Sequence, residues 1–277
     1  MKKLKNFFNA SVFSSTTQFR SDSDDGTYLK DVKKFLDDYS SFKNFKRFKN
    51  YNKILEHLSF ETGKKYLDLI YKRDKSFISK GLILHEMDKL GNPVKYIYGE
   101  MNFSPTTLRY IKVTQDIKLL FGGKFKSIVE IGGGYGGQLI ANDIYLKIDN
   151  YTVFDLDDVN MLIKKYVNSF FTNLNFNAIS LNQYKVENID LVISNYAFSE
   201  LPKSVQIYYL EKVLKYASRG YLTLNCLNKK DRLNKTELLK LFPEGEFIKE
   251  IPKTGDHNLI FVWGHNKKKL KDYFINT

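Results

Sequence analysis

The chain has 277 residues, a size for one large domain or two modest ones, and is long enough to bury a core without cross-links. Hydrophobic residues make up 43% and aromatic residues 15%, which excludes wholesale disorder, and the single cysteine, Cys226, excludes a disulfide framework or a multi-cysteine zinc site. The net charge is +13, but Lys outnumbers Arg 38 to 6 and the excess is spread over both halves, unlike the clustered footprint of a nucleic-acid binder. Such a surface suits an anionic or nucleotide-linked substrate, or loose attachment to an anionic membrane face.

The first residues, Met1–Ala10, open like a signal peptide, but polar Asn6, Asn9 and Ser11 interrupt the apolar run, and no stretch approaches the ~20 apolar residues of a membrane span. The expected location is cytoplasmic. Residues 1–27 are polar and without period, and are expected to form a mobile arm. From Tyr28 the spacing of Leu29, Val32, Phe35, Leu36 and Tyr39 predicts a helix face. Aromatics alternating with Lys over Phe42–Tyr51 suit either base stacking or, the reading preferred here, an amphipathic helix with an aromatic core stripe and a solvated Lys face. Further helices are predicted over 62–72 and 76–90, with a turn at Gly91–Pro93. Ser104 and Pro105 predict a capped helix start, running to Gly122-Gly123. The domain boundary is placed just before it, giving a helical part at 28–104 and a second domain at 105–277.

After Gly123 short apolar strands alternate with helices. Strands are predicted at 127–131, 151–155, 176–180, 190–194, 220–226, 247–251 and 259–263, and helices at 137–147, 158–170, 203–217 and 236–242. This alternation predicts an α/β fold with a mostly parallel seven-stranded sheet. The last two strands are joined by a turn too short for a parallel crossover, so the final strand is antiparallel.

The stretch Ser127–Gln138 reads as strand, glycine-rich turn and helix start, with Gly132, Gly134, Gly136 and Gly137. Glycines there permit a sharp turn and close approach to a ligand. Asp155, 19 residues after Gly136, ends the second strand, where a carboxylate can hold ribose hydroxyls. Together they point to a nucleoside-type cofactor. Glu130-x-Gly132-x-Gly134-x-Gly136 resembles the first motif of class I S-adenosylmethionine (SAM) dependent methyltransferases, a Rossmann-like family whose sheet also ends in an antiparallel hairpin. Three stretches, Phe103–Tyr110, Glu130–Gln138 and Ser194–Leu201, are more closely similar to sugar O-methyltransferases found with bacterial surface-polysaccharide genes. The resemblance implies SAM as cofactor, held by Glu130, Gly132, Gly134, Gly136 and Asp155, with Asn182 and Asn195 completing the set. The acidic residue expected after the third strand is absent, and the Asn182 carbonyl is the acceptor available in its place. It also implies a helical N-terminal part for acceptor recognition, and as acceptor a sugar, sugar nucleotide or glycan of capsule or lipopolysaccharide synthesis.

In open α/β sheets ligands sit beyond the carboxyl ends of the strands. That rule selects the loop after the fourth strand, with Asn195, Tyr196, Ser199 and Glu200, and the turn into the last strand, with Asp256 and His257. His257 is the first candidate for general base, and Glu200 its rival or a helix-start carboxylate. Arg109, Tyr196, Glu100 and Asp256 are candidates for holding the acceptor, Arg109 through bidentate contact with a phosphate or through an ordinary ion pair. His57, His85 and His265 receive no role, Asp157 and Asp158 are expected to cap a helix, and no metal or nucleic-acid partner is expected. The alternatives are a nucleic-acid-binding or nucleic-acid-modifying methyltransferase, and a nicotinamide oxidoreductase, which Glu130 and the terminal hairpin disfavour.

Overall fold

A computed structural model describes residues 26–74, 76, 81–170, 172–185 and 187–275. The arm expected over residues 1–27 lies, but for its last two residues, outside them.

The N-terminal part is a set of short helices: α1 (Thr27–Asp37), α2 (Tyr39–Lys43), α3 (Lys49–Leu55), α4 (Phe60–Arg73) and α5 (Gly81–Lys89). Asp38 interrupts the first face by capping α2, accepting from the N–H groups of Ser40 and Ser41. The expected helix over 76–90 is observed from Gly81; residues 75 and 77–80 lie outside the described set. A small hairpin, β1 (Tyr96–Tyr98) and β2 (Met101–Phe103), adds to the helices; strands of three residues leave no periodic signal in the sequence.

The aromatic run at 42–51 is core material. Phe42, Phe45 and Tyr51 are buried, and the Phe45 ring lies 5.4 Å from that of Tyr135 and 6.0 Å from that of Tyr166. The solvated Lys face fails at Lys46, which is fully buried. Its ammonium donates to the Met87 carbonyl at 3.0 Å and lies 4.4 Å from the centre of the Tyr135 ring, so it exchanges water for a carbonyl and aromatic faces. Burial lowers its pKa, against the charges of Glu56 and Asp88.

Helix α6 (Pro105–Phe121) starts as the sequence predicts. The Ser104 hydroxyl accepts from Thr106 N–H at 3.1 Å, Pro105 takes the first turn, and Gly122 ends the helix at φ 92°. Then follow β3 (Lys124–Ile131), α7 (Gly137–Tyr145), β4 (Lys147–Phe154), α8 (Asp157–Val167), β5 (Asn175–Ile179), β6 (Leu191–Asn195), α9 (Ala197–Glu200), α10 (Lys203–Lys212), β7 (Gly220–Leu224), α11 (Lys235–Leu241), β8 (Glu246–Lys249), β9 (Leu259–Trp263) and α12 (Lys267–Ile275). The sheet order is β5-β4-β3-β6-β7-β9-β8, with β9 alone running against the others. This is the Rossmann-like α/β architecture with a reversed final strand.

One face of the sheet (Ile128, Tyr151, Val153, Ile193, Tyr221) packs in a single core with the N-terminal helices, α6, α7 and α8. The other face (Val129, Ile131, Val192, Leu222, Phe261) packs with α9, α10 and α11. The alternation of strand side chains thus supplies both layers.

Candidate functional site

The glycine-rich turn leaves β3 at the carboxyl edge of the sheet. Gly132 and Gly134 have φ of 78° and 59°, in the left-handed region that side chains disfavour. A Cβ on Gly132 would lie 2.1 Å from the Cβ of Ala197, so the turn passes directly against the start of α9. On Gly134 it would meet the Leu55 methyl groups at 3.3 Å, so the end of α3 covers the turn.

Asp155 reaches the turn from the end of β4. Its carboxylate accepts from Gly134 N–H at 3.2 Å and from Leu156 N–H at 2.8 Å. Burial pushes its pKa up to about 6, while these backbone donors hold it down. The side chain is partly buried, and a carboxylate oxygen that accepts one hydrogen bond keeps capacity for another.

Glu130 lies beneath the turn, 1% exposed, and its carboxyl accepts from the Tyr151 hydroxyl at 2.8 Å. Burial pushes its pKa up to about 8, so a neutral carboxyl predominates at neutral pH. A polar chain continues from it. Asn142 donates to Tyr151, Gln138 to Asn142 and Asn195 to Gln138, at 3.1, 3.1 and 3.3 Å. Asn195, at the end of β6, is thereby tied to the first turn of α7. The structure makes Glu130 part of the support for the glycine turn.

A second set of side chains meets beside Asn195. Arg109 from α6, Tyr66 from α4, Asn195, Tyr196, Thr223 and Glu250 line a narrow cleft whose enclosed part has room for about one water-sized group. Tyr196 has φ 71°, a conformation costing a non-glycine residue about 1–3 kcal/mol. It is held there by its N–H to the Thr223 carbonyl at 2.9 Å and by its hydroxyl, which donates to Glu250. The Arg109 guanidinium lies 5.7 Å from the centre of the Tyr196 ring.

Glu200 ends α9 facing the same edge, its carboxylate accepting from Asn225 at 2.8 Å. It is no helix cap: the helix after Pro202 receives no side-chain cap. The turn between β8 and β9 lies at the carboxyl edge, as Leu259 pairs with Leu224, the last residue of β7. Its contributions to the cleft are Glu250 and Ile251. Asp256 pairs with Lys253 at 3.0 Å, and it and His257 are exposed outside the cleft lining. Glu100 is exposed on the turn of the β1–β2 hairpin, also outside that lining. Asn182 lies in the turn after β5, with its carbonyl accepting from Tyr208 at 3.2 Å.

Two groups escaped the sequence reading. Glu250 precedes Pro252 in the turn that topology selects, but no spacing or motif distinguishes it there from Asp256 and His257. His57 follows the segment that covers the glycine turn. Its ring reaches solvent, yet the surrounding walls desolvate it enough to lower its pKa, and the Arg109 charge lowers it further, while Glu200 raises it. The available signal was its place in the break between two apolar-periodic helices, since functional residues concentrate in such connections. His85 stacks on Phe103, and His265 faces Glu246 at 3.2 Å.

No protein-family model and no curated protein matches the chain. Solved structures do. A Thermoplasma acidophilum protein superposes with a TM-score of 0.42 at 16% identity, over 68% of this chain and 98% of its own. A Pyrococcus horikoshii protein gives 0.47 at 12%, over 61% and 95%. The mitomycin 7-O-methyltransferase MmcR gives 0.42 at 11%, over 77% and 69%. Among the described residues no helix is long and apolar enough to cross a membrane, and no three His, Cys, Asp or Glu side chains cluster as a metal site would require.

Proposed function

We propose that the chain is a SAM-dependent methyltransferase acting on a hydroxyl of a sugar or sugar-linked molecule. The observation that carries the reading is the contact between Asp155 and Gly134 N–H, which joins a ribose-type carboxylate to the glycine turn at the carboxyl edge of this sheet. The reversed β9, next to β7, supports it further. The sugar acceptor rests on the three similar stretches named above.

The residues present fit the cofactor. Asp155 offers carboxylate oxygens to ribose hydroxyls, the turn offers close backbone approach, and Leu55 gives an apolar cover. When bound, SAM supplies a methyl group activated by its sulfonium. The chain's own task is to align an acceptor hydroxyl with it and to accept that hydroxyl's proton. Alignment provides most of the rate, and a positioned base a further ~10²–10⁴-fold. His57 lies within the electrostatic reach of Arg109, a cleft residue, and of Glu200, and His57 and Glu200 are the groups proposed to take the proton. The N-terminal helices then form the acceptor wall.

Calorimetry with S-adenosylhomocysteine, SAM and NAD tests the cofactor. The expected result is binding of the first two at about −8 kcal/mol, in the micromolar range, and none of NAD. A mass-spectrometric screen of sugars, sugar phosphates and sugar nucleotides with SAM then tests the acceptor, through a gain of one methyl group.

A further inference from the structure

We propose that Arg109 is the seat of an oxyanion on the methyl acceptor, so that the acceptor carries a carboxylate or phosphate close to the hydroxyl that is methylated. The inference rests on the methyltransferase reading above.

Arg109 carries a buried charge with no anionic partner among the described residues. Arg109 is 7% exposed, and its Nε is buried without a hydrogen-bond partner. Among the described residues no carboxylate lies within ion-pair distance of it; the groups around it are Tyr66, Tyr110 and Tyr196. Burial raises the pKa of each of these phenols, Tyr110 to about 12, so they stay neutral. The nearby carboxylates are already engaged. Asp116 binds Arg73 at 2.5 Å and Lys112 at 2.6 Å, and also accepts from the Tyr221 hydroxyl. Glu250 accepts from Tyr196, from the Thr254 N–H and hydroxyl, and from Asn258. Arg109 is thus a buried cation with no carboxylate at ion-pair distance among the described residues. Burying a guanidinium with no anion is strongly unfavourable, and its planar fork matches an incoming carboxylate or phosphate.

Location decides what the anion belongs to. The cleft beside Arg109 has room in its enclosed part for one water-sized group, so an oxyanion enters with one oxygen first and the rest of its molecule toward the mouth. The neighbouring residue, Tyr110, abuts the glycine turn, since a Cβ on Gly137 would lie 2.4 Å from its ring. The wall opposite is Asn195 and Tyr196, at the strand end where the acceptor must approach. An acceptor anchored here by its anion has its hydroxyl beside the donor site. The other possible owner of an anion is the amino-acid carboxylate of the methyl donor, and the experiment separates the two.

The full chain and its Arg109→Gln and Arg109→Lys variants are titrated calorimetrically with inorganic phosphate at saturating S-adenosylhomocysteine, against chloride at matched ionic strength. S-adenosylhomocysteine and 5′-methylthioadenosine, which lacks the amino-acid carboxylate, are titrated separately. The expected result is phosphate binding that weakens about tenfold or more in Arg109→Gln and is intermediate in Arg109→Lys, with S-adenosylhomocysteine affinity changed less than about twofold. If Arg109→Gln fails to fold, Arg109→Lys decides alone, by the loss of the fork. Absence of phosphate binding to the native chain, or binding indifferent to both substitutions, overturns the proposal. So does a loss of about tenfold for S-adenosylhomocysteine with none for 5′-methylthioadenosine, which gives the arginine to the donor. Failure of the native chain to bind S-adenosylhomocysteine overturns the methyltransferase reading, while phosphate titrated alone still reads the anion site.

Discussion

The hydroxyl of Tyr135, inside the glycine-rich turn, donates at 3.0 Å to the carboxylate of Glu56, 79 positions earlier in the chain. The other Glu56 oxygen accepts from the Ser104 hydroxyl at 3.1 Å, at the cap of α6, and Lys46 lies over the Tyr135 ring. Helix α3, the turn that forms the candidate cofactor site and the helix carrying Arg109 are thus fastened at one buried point. Because Leu55 precedes Glu56 and touches the space above Gly134, the same fastening sets the cover over the turn.

Tyr135→Phe removes that donor and leaves a buried carboxylate oxygen without it. The expected loss is about 1–3 kcal/mol of unfolding free energy, read from urea denaturation. A loss under about 0.5 kcal/mol, within the range of an ordinary surface change, would mean that Glu56 finds another donor.

Glu130 gives a pH signature. In the unfolded chain its carboxyl ionises near its ordinary 4.5, but in the folded chain only near about 8, because burial outweighs the Tyr151 hydrogen bond. Between those values the folded state holds the extra proton, so this group makes stability fall as pH rises through the window and level off above about 8. Glu130→Gln has no such slope. The difference in denaturation midpoint between the native chain and Glu130→Gln should therefore shift in favour of Gln as pH rises from 5 to about 8. A pH-independent difference would show that Glu130 ionises like an exposed carboxyl.

The strands and the reversal of the last one were legible because buried parallel strands read as apolar runs, such as Leu191–Ser194, and because the turn before Leu259 is too short for a crossover; their order in the sheet was not. Ser104, Pro105 and Gly122 announced α6 through backbone chemistry local to each residue. Of the candidate site, only the local part was legible, the adjacency of the glycine turn and Asp155. Lys46, Glu56, Tyr135 and Asp88 meet through packing between distant segments, and no spacing rule links residues 79 apart. Glu250 and His257 share one turn, and only the placement of Tyr196 decides which of them reaches the cleft.

Asp155 is expected to govern cofactor affinity. Asp155→Ala should weaken S-adenosylhomocysteine by about 1–3 kcal/mol, the cost of leaving ribose hydroxyls unpaired. The native chain adds a pH test. With the carboxyl pushed up to about 6, acidification below that value protonates it and removes an acceptor for ribose hydroxyls. Binding measured calorimetrically should weaken between pH 7 and 5 in the native chain and stay flatter in Asp155→Ala. Equal affinities in both proteins would remove Asp155 from the site.

His57 and His257 are both exposed and neither lines the narrow cleft, but His57 is the one on which the charges of Arg109 and Glu200 both act. Its pKa is lowered by desolvation and by Arg109, which keeps the imidazole neutral, and so able to accept a proton, at pH 7. His57→Asn should then reduce kcat by about 10²–10⁴-fold with the acceptor found in the screen, and leave S-adenosylhomocysteine affinity nearly intact. His257→Ala should change kcat less than about threefold, as expected of a group outside the reacting centre. The pH profile carries the sharper test. Activity should rise through a limb below the ordinary histidine value, and Glu200→Gln should move that limb lower still, because the Glu200 charge is what raises the His57 pKa. A collapse of turnover in Glu200→Gln with His57→Asn near native would make the carboxylate the base. A collapse in His257→Ala alone would mean that the turn before β9 folds over the cleft when the acceptor binds.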